Sequence, residues 1–422
     1  MSLWKKLTGW ASSTEKEAPE KSARKDNGKN TGAVAKQALT AEEAEKLRRQ
    51  VDAMQDALKV NPEGMTTHYK MAETLMKLER YSEALKSLKA VLAVEPDHSS
   101  ALFHIAECYM HIGRDEQAIE VLEEARQKNP ESQALVRQMA QAQTNLCITA
   151  GKLKRFEESV LHFKEAVKLV PDFGPAHLAM GITLYQQGQY NKAIKLFETT
   201  MEMDPNLKVD AYHHLARSYA KKGETKKALK FFDQAIQVDP KAAVVHKDLG
   251  EFHFKQGKFE DAVTSLEKAL SMSPKLTTDA WFKLGVARVR LNRIRAAEEP
   301  LRKALEISPD NHQVQDALTE VLYRIHQLHR KDGDPLDSLN QLREAVRLNP
   351  THAKAQFALG LLYDLKKDGK RAIQHLLFAK NFFLEQKNRE GLTQTVKVLP
   401  GMYEKYQLTS EDFEKLIMPS RH

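Results

Sequence analysis

No apolar run in this chain approaches the roughly 20 residues needed to cross a bilayer, and the first ten residues lack the apolar centre of about 7 to 15 residues that marks a secretory signal. Both absences lead to the expectation of a cytoplasmic protein. Cysteine is nearly missing: Cys108 and Cys147 are far apart and each stands alone. That excludes a disulfide framework or a CxxC metal site and leaves two part-buried helix cysteines in a reducing compartment. Aromatic residues reach only 7%, against 29% charged. This balance suits soluble helices with apolar stripes rather than a sheet-rich core. No Gly-rich phosphate loop, HExxH or strand-borne nucleophile occurs, so neither an enzyme nor a cofactor is expected. Among the 16 histidines, His213 and His214 are adjacent and His326 and His329 are three apart. A metal would need a third converging ligand, so no metal site is expected.

The net charge of +8 is unevenly placed: residues 1–40 hold eight Lys or Arg and four Asp or Glu, leaving 57 and 53 for the rest. Half the surplus therefore sits in the first tenth of the chain. The remainder is a mixed, solvating surface without nucleic-acid character.

What is present is punctuation. Prolines close successive segments at Pro62, Pro96, Pro130, Pro171, Pro205, Pro240, Pro274, Pro309 and Pro350, with gaps of 34, 34, 41, 34, 35, 34, 35 and 41. A period near 34 signals stacked helix pairs. In the segment from Ala243, the residues His246, Leu249, Gly250 and His253 share one face of a first helix. Gly257 suits the left-handed turn that ends it, and Ala262, Leu266 and Ala269 share a face of a second helix that Pro274 stops. Gly250 and Ala262 are small so that the two backbones can cross closely.

This pattern resembles the tetratricopeptide repeat. The small first-helix residue recurs as Ala72, Ala106, Ala140, Gly181, Ala216, Gly250, Gly285 and Gly360, with Thr319 in one unit. The second-helix alanine recurs as Ala84, Ala118, Ala193, Ala228, Ala262, Ala297 and Ala372, with Ser159 and Ser338 in the two longer units. Nine units follow, 65–98, 99–132, 133–173, 174–208, 209–242, 243–277, 278–311, 312–352 and 353–386. The units from Gln133 and His312 are seven residues longer, and their apolar series continue at helical spacing. A heptad adds two turns, about 10 Å, without turning the apolar face, so each insert is expected to lengthen its first helix. Thr40 to Glu43 reads as a capping box for a helix to about Val60, and 389–398 and 410–417 read as C-terminal helices covering the exposed end. Asp334 and Pro335 read as an N-cap and first-turn proline.

The resemblance implies an all-α, right-handed α–α superhelix, with a basic tail over 1–39, capping helix over 40–62, nine repeats over 65–386 and C-terminal caps over 387–422. It further implies a non-enzymatic scaffold or adaptor that binds other proteins, as extended or helical segments, in a concave groove lined by first helices. The family's groove positions fall on Tyr69, Phe103, His104, Arg137, Tyr185, His213, His214, Arg217, Lys221, Lys247, Phe254, Lys255, Phe282, Lys283, Arg290 and Tyr323. Cations concentrate between Arg217 and Arg290, which suits an acidic segment, though Asp210, Asp248, Glu251 and Asp279 lie among them. Arrays of this kind also self-associate. The carboxylate clamp of chaperone-binding members is absent, as is the asparagine ladder of glycosyltransferase-associated ones. A regulatory or co-chaperone-like role without that clamp is the alternative.

The tail opens MSLWKKLTGW. In a helix, Leu3, Trp4, Leu7 and Trp10 would share a face, with Lys5 and Lys6 toward the other. Half-burying those four apolar side chains removes on the order of 300 Å², about 8 kcal/mol, against about 10 kcal/mol for ordering ten residues. The segment alone is marginal. Reversible contact with an anionic membrane, docking on a protein pocket, and an inert tail all stay open.

Overall fold

The computed structural model describes residues 39–274, 277–332, 335–413, 416 and 418. The N-terminal segment with Leu3, Trp4, Lys5, Lys6, Leu7 and Trp10 lies outside the described residues, as does Asp334. Among the described residues there are twenty α-helices and no strand. The chain divides into two units, Met1–Pro240 and Lys241–His422.

In the first unit, α1 (Ala41–Val60) precedes five pairs: α2 (Met65–Lys77) with α3 (Tyr81–Val94), α4 (Ser99–His111) with α5 (Asp115–Lys128), α6 (Gln133–Lys152) with α7 (Phe156–Leu169), α8 (Gly174–Gln186) with α9 (Tyr190–Met203), and α10 (Lys208–Lys221) with α11 (Thr225–Val238). The second unit has four: α12 (Ala243–Lys255) with α13 (Phe259–Met272), α14 (Thr278–Arg290) with α15 (Ile294–Ile307), α16 (His312–Asp332) with α17 (Leu339–Leu348), and α18 (Ala353–Leu365) with α19 (Gly369–Glu385); α20 (Arg389–Tyr406) follows. Every punctuating proline lies two residues beyond a helix end, since proline has no N–H to extend the ladder. Both inserts lengthen the first helix as expected: α6 has 20 residues and α16 has 21, where α12 has 13.

The pairs cross at a notch. A Cβ added to Gly250 would stand 2.7 Å from Leu266 Cγ, and Gly285 and Gly360 meet Leu301 and Leu376 at 2.6 and 2.9 Å. At Gly181 the Phe197 ring enters, at 2.5 Å. The first-helix glycine is thus small to admit a large side chain four residues beyond the second-helix alanine as well as to let the backbones cross closely, since the added Cβ would also stand 3.1 Å from Leu266 N at Gly250 and 3.0 Å from the Ala372 carbonyl at Gly360. Phe197, Leu266 and Leu301 are fully buried there.

The notch residue precedes the second-helix small residue by twelve in every pair of ordinary length, as in Ala72 and Ala84 or Gly250 and Ala262. The left-handed turn residue comes seven after it: Glu79, Gly113, Gly188, Gly223, Gly257, Asn292 and Lys367, each with positive φ. In the longer units this register selects Cys147 and His326, not Ala140 and Thr319. Lys154, seven after Cys147, has φ 60. Ser159 Oγ donates to the Cys147 carbonyl at 2.9 Å, and Ser338 Oγ lies 2.7 Å from His326 Nδ1. The added heptad therefore extends the end of the helix remote from the turn. There Thr319 donates to the Ala345 carbonyl of α17. Both cysteines are fully buried rather than part-buried, and burial pushes the Cys108 thiol up to about 12.

Pro300 sits inside α15, where it cannot donate to the Ala296 carbonyl one turn back. Arg288 from α14 supplies that donor, its Nη1 lying 2.5 Å from the Ala296 oxygen while Nη2 holds Glu267 at 2.8 Å.

At the ends, Thr40 and Glu43 form the expected capping box, with Glu43 N donating to Thr40 Oγ1 at 3.2 Å and Thr40 N to the Glu43 carboxylate at 2.8 Å. The C-terminal reading needs correction. One helix runs through Pro400 to Tyr406, and a single 3-10 turn, Glu411–Phe413, replaces the helix expected over 410–417. Tyr406 packs over Gly369 and donates to Asp364 at 2.8 Å, and Phe413 packs beside Met402 and Leu399, so these elements still cover apolar surface of α18 and α19. Pro335 opens a 3-10 turn, Pro335–Ser338, ahead of α17 rather than α17 itself.

Two stability outcomes follow. Leu266→Ala should cost about 2–5 kcal/mol, and Gly250→Ala about 1–3 kcal/mol by overpacking; urea midpoints of the double variant should show the two effects non-additive, because one notch holds both. Arg288→Ala should cost about 1.5–3 kcal/mol, and clearly less in a Pro300→Ala background, where the Ala296 carbonyl recovers its helical donor; equal costs in a double-mutant cycle would remove that role.

Candidate functional site

Counted from the notch, Tyr69, Phe103, His213, Lys247, Phe282 and Tyr323 stand three residues before it, and His104, His214 and Lys283 stand two before it. His213 is only 6% exposed and its ring lies 6.4 Å from Phe232, so it faces the interior of its pair. Phe282 is half-buried between two apolar clusters, and Tyr323 accepts a hydrogen bond from Gln327 at 3.0 Å. Phe254 packs edge-on against Phe259 at 5.6 Å, across the turn of its own pair. Arg137 lies ten residues before the Cys147 notch, exposed on the part of α6 that the heptad added. Lys221, Lys255 and Arg290 are exposed at helix ends, and His214 is half-buried, stacked on Phe197 at 5.2 Å.

Three of these residues do come together. Tyr69, Phe103 and His104 line an open cleft of about 650 Å³ with Ser99, Ser100, Leu135, Lys128 at the end of α5 and the connecting segment from Asn129 to Ser132. Tyr69 and Phe103 rings each approach His104 to 5.8 Å, and His104 Nδ1 is 3.3 Å from Glu107. Lys128 is ion-paired with Asp97. The wall from Asn129 to Ser132 was missed by sequence reasoning, because family positions carry over only first-helix residues. Elsewhere in the first unit, the Arg217 guanidinium lies over the Tyr185 ring at 5.1 Å. Burial pushes the Asp210 carboxyl up to about 6, with His213 opposing the shift.

Two candidate cations of the second unit, Lys247 and Lys283, are already engaged. Lys247 Nζ is 3.0 Å from Asp248 and 3.6 Å from Glu251, while Lys283 Nζ is 3.2 Å from the other Glu251 oxygen and paired with Asp279. Two lysines share three carboxylates. This stretch of first-helix surface is a mixed-charge ladder, and its carboxylates blunt the basic character inferred from the lysines.

A family model described as "Cilia and flagella-associated protein 70 C-terminal domain" matches residues 174–391, which is 218 of 422 residues, and a tetratricopeptide-repeat model matches 75–144. The chain belongs to this tetratricopeptide-repeat family. No curated protein sequence matches it. Among solved structures it is similar to a tetratricopeptide repeat protein from Parabacteroides merdae, at 16% identity over 61% of this chain and 98% of that one, TM-score 0.44. It is also similar to the APC/C hetero-tetramer Cut9–Hcn1, at 18% identity over 75% and 59%, TM-score 0.40. Human IFIT1, solved as a dimer with m7Gppp-AAAA, is 18% identical over 80% and 86%, TM-score 0.40. These likenesses concern the fold.

Of the histidines singled out as possible ligands, His213 and His326 are buried in the packing of this tetratricopeptide array. His326 lies in the notch against Ser338; burial, with Arg330 and His329 adding in the same direction, lowers its imidazole to about 4. His375, which the sequence did not single out, donates from Nδ1 to Gln356 Oε1 at 2.7 Å and stacks on Tyr363, and burial, helped by Arg371 and opposed by Asp368, likewise lowers it to about 4. Among the described residues no group of three or more His, Cys, Asp or Glu is placed to hold a metal.

Both folded imidazoles lie below the ordinary value near 6.5, so the unfolded chain binds the extra protons. Their contribution to stability should be whole above about pH 6.5 and drain away as pH falls toward 4. Urea midpoints measured across that window should fall less steeply for a His326→Gln/His375→Gln variant than for the parent.

Proposed function

We propose that this chain is a non-enzymatic scaffold that holds segments of partner proteins along the first-helix side of its repeats. The observation that carries this is the aromatic-lined cleft at Tyr69, Phe103 and His104. It offers rigid rings with few rotamers to lose and a polar wall, features that serve as binding anchors. The Tyr185–Arg217 stack is a second such anchor, where the ring fixes a guanidinium suited to a carboxylate. A tetratricopeptide fold supports protein interaction in general. The lysine and carboxylate ladder at Lys247, Glu251 and Lys283 favours a partner carrying both charges there over a uniformly acidic one.

Affinity capture with intact protein should therefore lose its partners when Tyr69→Ser and Arg217→Glu are combined, and keep them when exposed Lys195, on second helix α9, is changed to Glu. Loss in both, or in neither, would place binding away from the first-helix side.

A further inference from the structure

The cleft beside Phe103 has an aromatic floor and an acidic surround. Tyr69, Phe103 and Leu135 supply the apolar lining. Glu131 is an exposed part of the cleft wall, Glu107 lies 3.3 Å from His104 and Glu73 acts on Tyr69, while the Lys128 of the lining is already paired with Asp97. A well-matched occupant therefore brings large apolar rings and a small positive charge. The chain carries such a segment itself. Residues 3–10 combine Trp4 and Trp10 with Leu3 and Leu7, and Lys5 and Lys6 lie between them.

Reach decides between this segment and an unrelated peptide of the same chemistry. The cleft is built on α2 and the pairs that follow it, and α1 packs directly on α2. The start of α1 therefore lies within about its own length of the cleft, 20 residues or roughly 30 Å. Residues 11–40 connect the segment to that point. At about 3.3–3.6 Å per residue, 30 residues can reach up to roughly 100 Å, so the connection is long enough to span the gap. A ligand tethered within reach of its site is held at an effective concentration that a free peptide at micromolar level does not approach.

We propose that the cleft is the docking site of this chain's own N-terminal segment, with a tryptophan seated between Tyr69, Phe103 and Leu135 and the two lysines facing Glu131 and its neighbouring carboxylates. The inference deepens the proposed function: the same cleft that would receive a partner is held by the tail until a partner displaces it. A preformed pocket supplies what the segment lacks alone, since contacts there offset the ordering entropy that makes it marginal.

The test uses full-length protein and a fluorescein-labelled peptide, MSLWKKLTGW, read by anisotropy. Trp4→Ala/Trp10→Ala empties the cleft, so this variant should bind the peptide at least about tenfold more tightly than the parent, whose own tail competes. Adding Glu131→Lys, an exposed position that leaves the core untouched, should weaken that binding by about tenfold, and Phe103→Ser should do the same. Equal affinity for parent and tryptophan variant overturns the proposal, as does binding indifferent to both Glu131→Lys and Phe103→Ser. Peptide that floats with vesicles of phosphatidylcholine and phosphatidylserine but does not bind the tryptophan variant also overturns it, in favour of the membrane. Failure here with partner capture still sensitive to Tyr69→Ser/Arg217→Glu would sink the tail docking alone and leave the scaffold reading standing.

Discussion

The twelve-residue interval between the first-helix notch and the second-helix small residue is the constraint from which the other geometry follows. It places Leu266 in the space that Gly250 leaves and Leu301 in the space that Gly285 leaves. Burial of a leucine contributes about 1.5–3 kcal/mol, and a notch that fits it avoids the cavity cost that would otherwise be added. Because eight of the nine pairs, all whose turns are described, turn through a left-handed residue seven positions after the notch, the interval also sets where the chain reverses. Glu79, Lys154 and Lys367 accept that conformation without glycine, at a cost of about 1 kcal/mol each, because the packed helices on both sides fix the turn.

The longer pairs show what that constraint tolerates. At their crossing the notch holds Cys147 and His326, both larger than alanine, and the facing alanine becomes Ser159 and Ser338. A hydroxyl there does two things an alanine methyl cannot. It satisfies polar groups that the larger notch residue brings inside, as at Ser338 and His326, and it links neighbouring pairs, since Ser159 Oγ also lies 3.2 Å from Thr183 of α8. Buried polar groups are costly unless paired, so each serine and its partner form a unit that one substitution would leave half-satisfied.

Helix pairing, turn positions and the lengthened helices were legible because they rest on local rules: a proline that ends a ladder, a glycine that permits positive φ, a heptad that preserves a face. The notch in the longer units was misplaced because Ala140 and Thr319 are small and sit the usual distance from the unit start, while the register is in fact kept from the turn. Counting back twelve from Ser159 and Ser338 would have found Cys147 and His326. At the C-terminus, Pro400 reads as a breaker, but packing of Met402 and Tyr406 on the last pair keeps the helix through it. Tertiary contacts overrode a local penalty there, and nothing in residues 389–406 alone announces it. The candidate face was less legible still, since exposure does not follow place in the repeat: Tyr69 is half-buried and Lys70 exposed, whereas Phe357 is half-buried and Ala358 buried.

Both roles, packing and recognition, fall on one surface. His213, three residues before its notch, is buried against Phe232, while Tyr69 and Phe103 at the same place line the cleft with His104 and the Asn129–Ser132 wall. Two before the notch, Ala179 and Ala358 are buried, but His104 is open to the cleft. Place in the repeat alone therefore does not decide accessibility; side-chain size and neighbours do. Selectivity on this scaffold should then be written where a first-helix side chain meets a connecting segment, as at His104 and Glu131, since residues there can vary without disturbing the crossing.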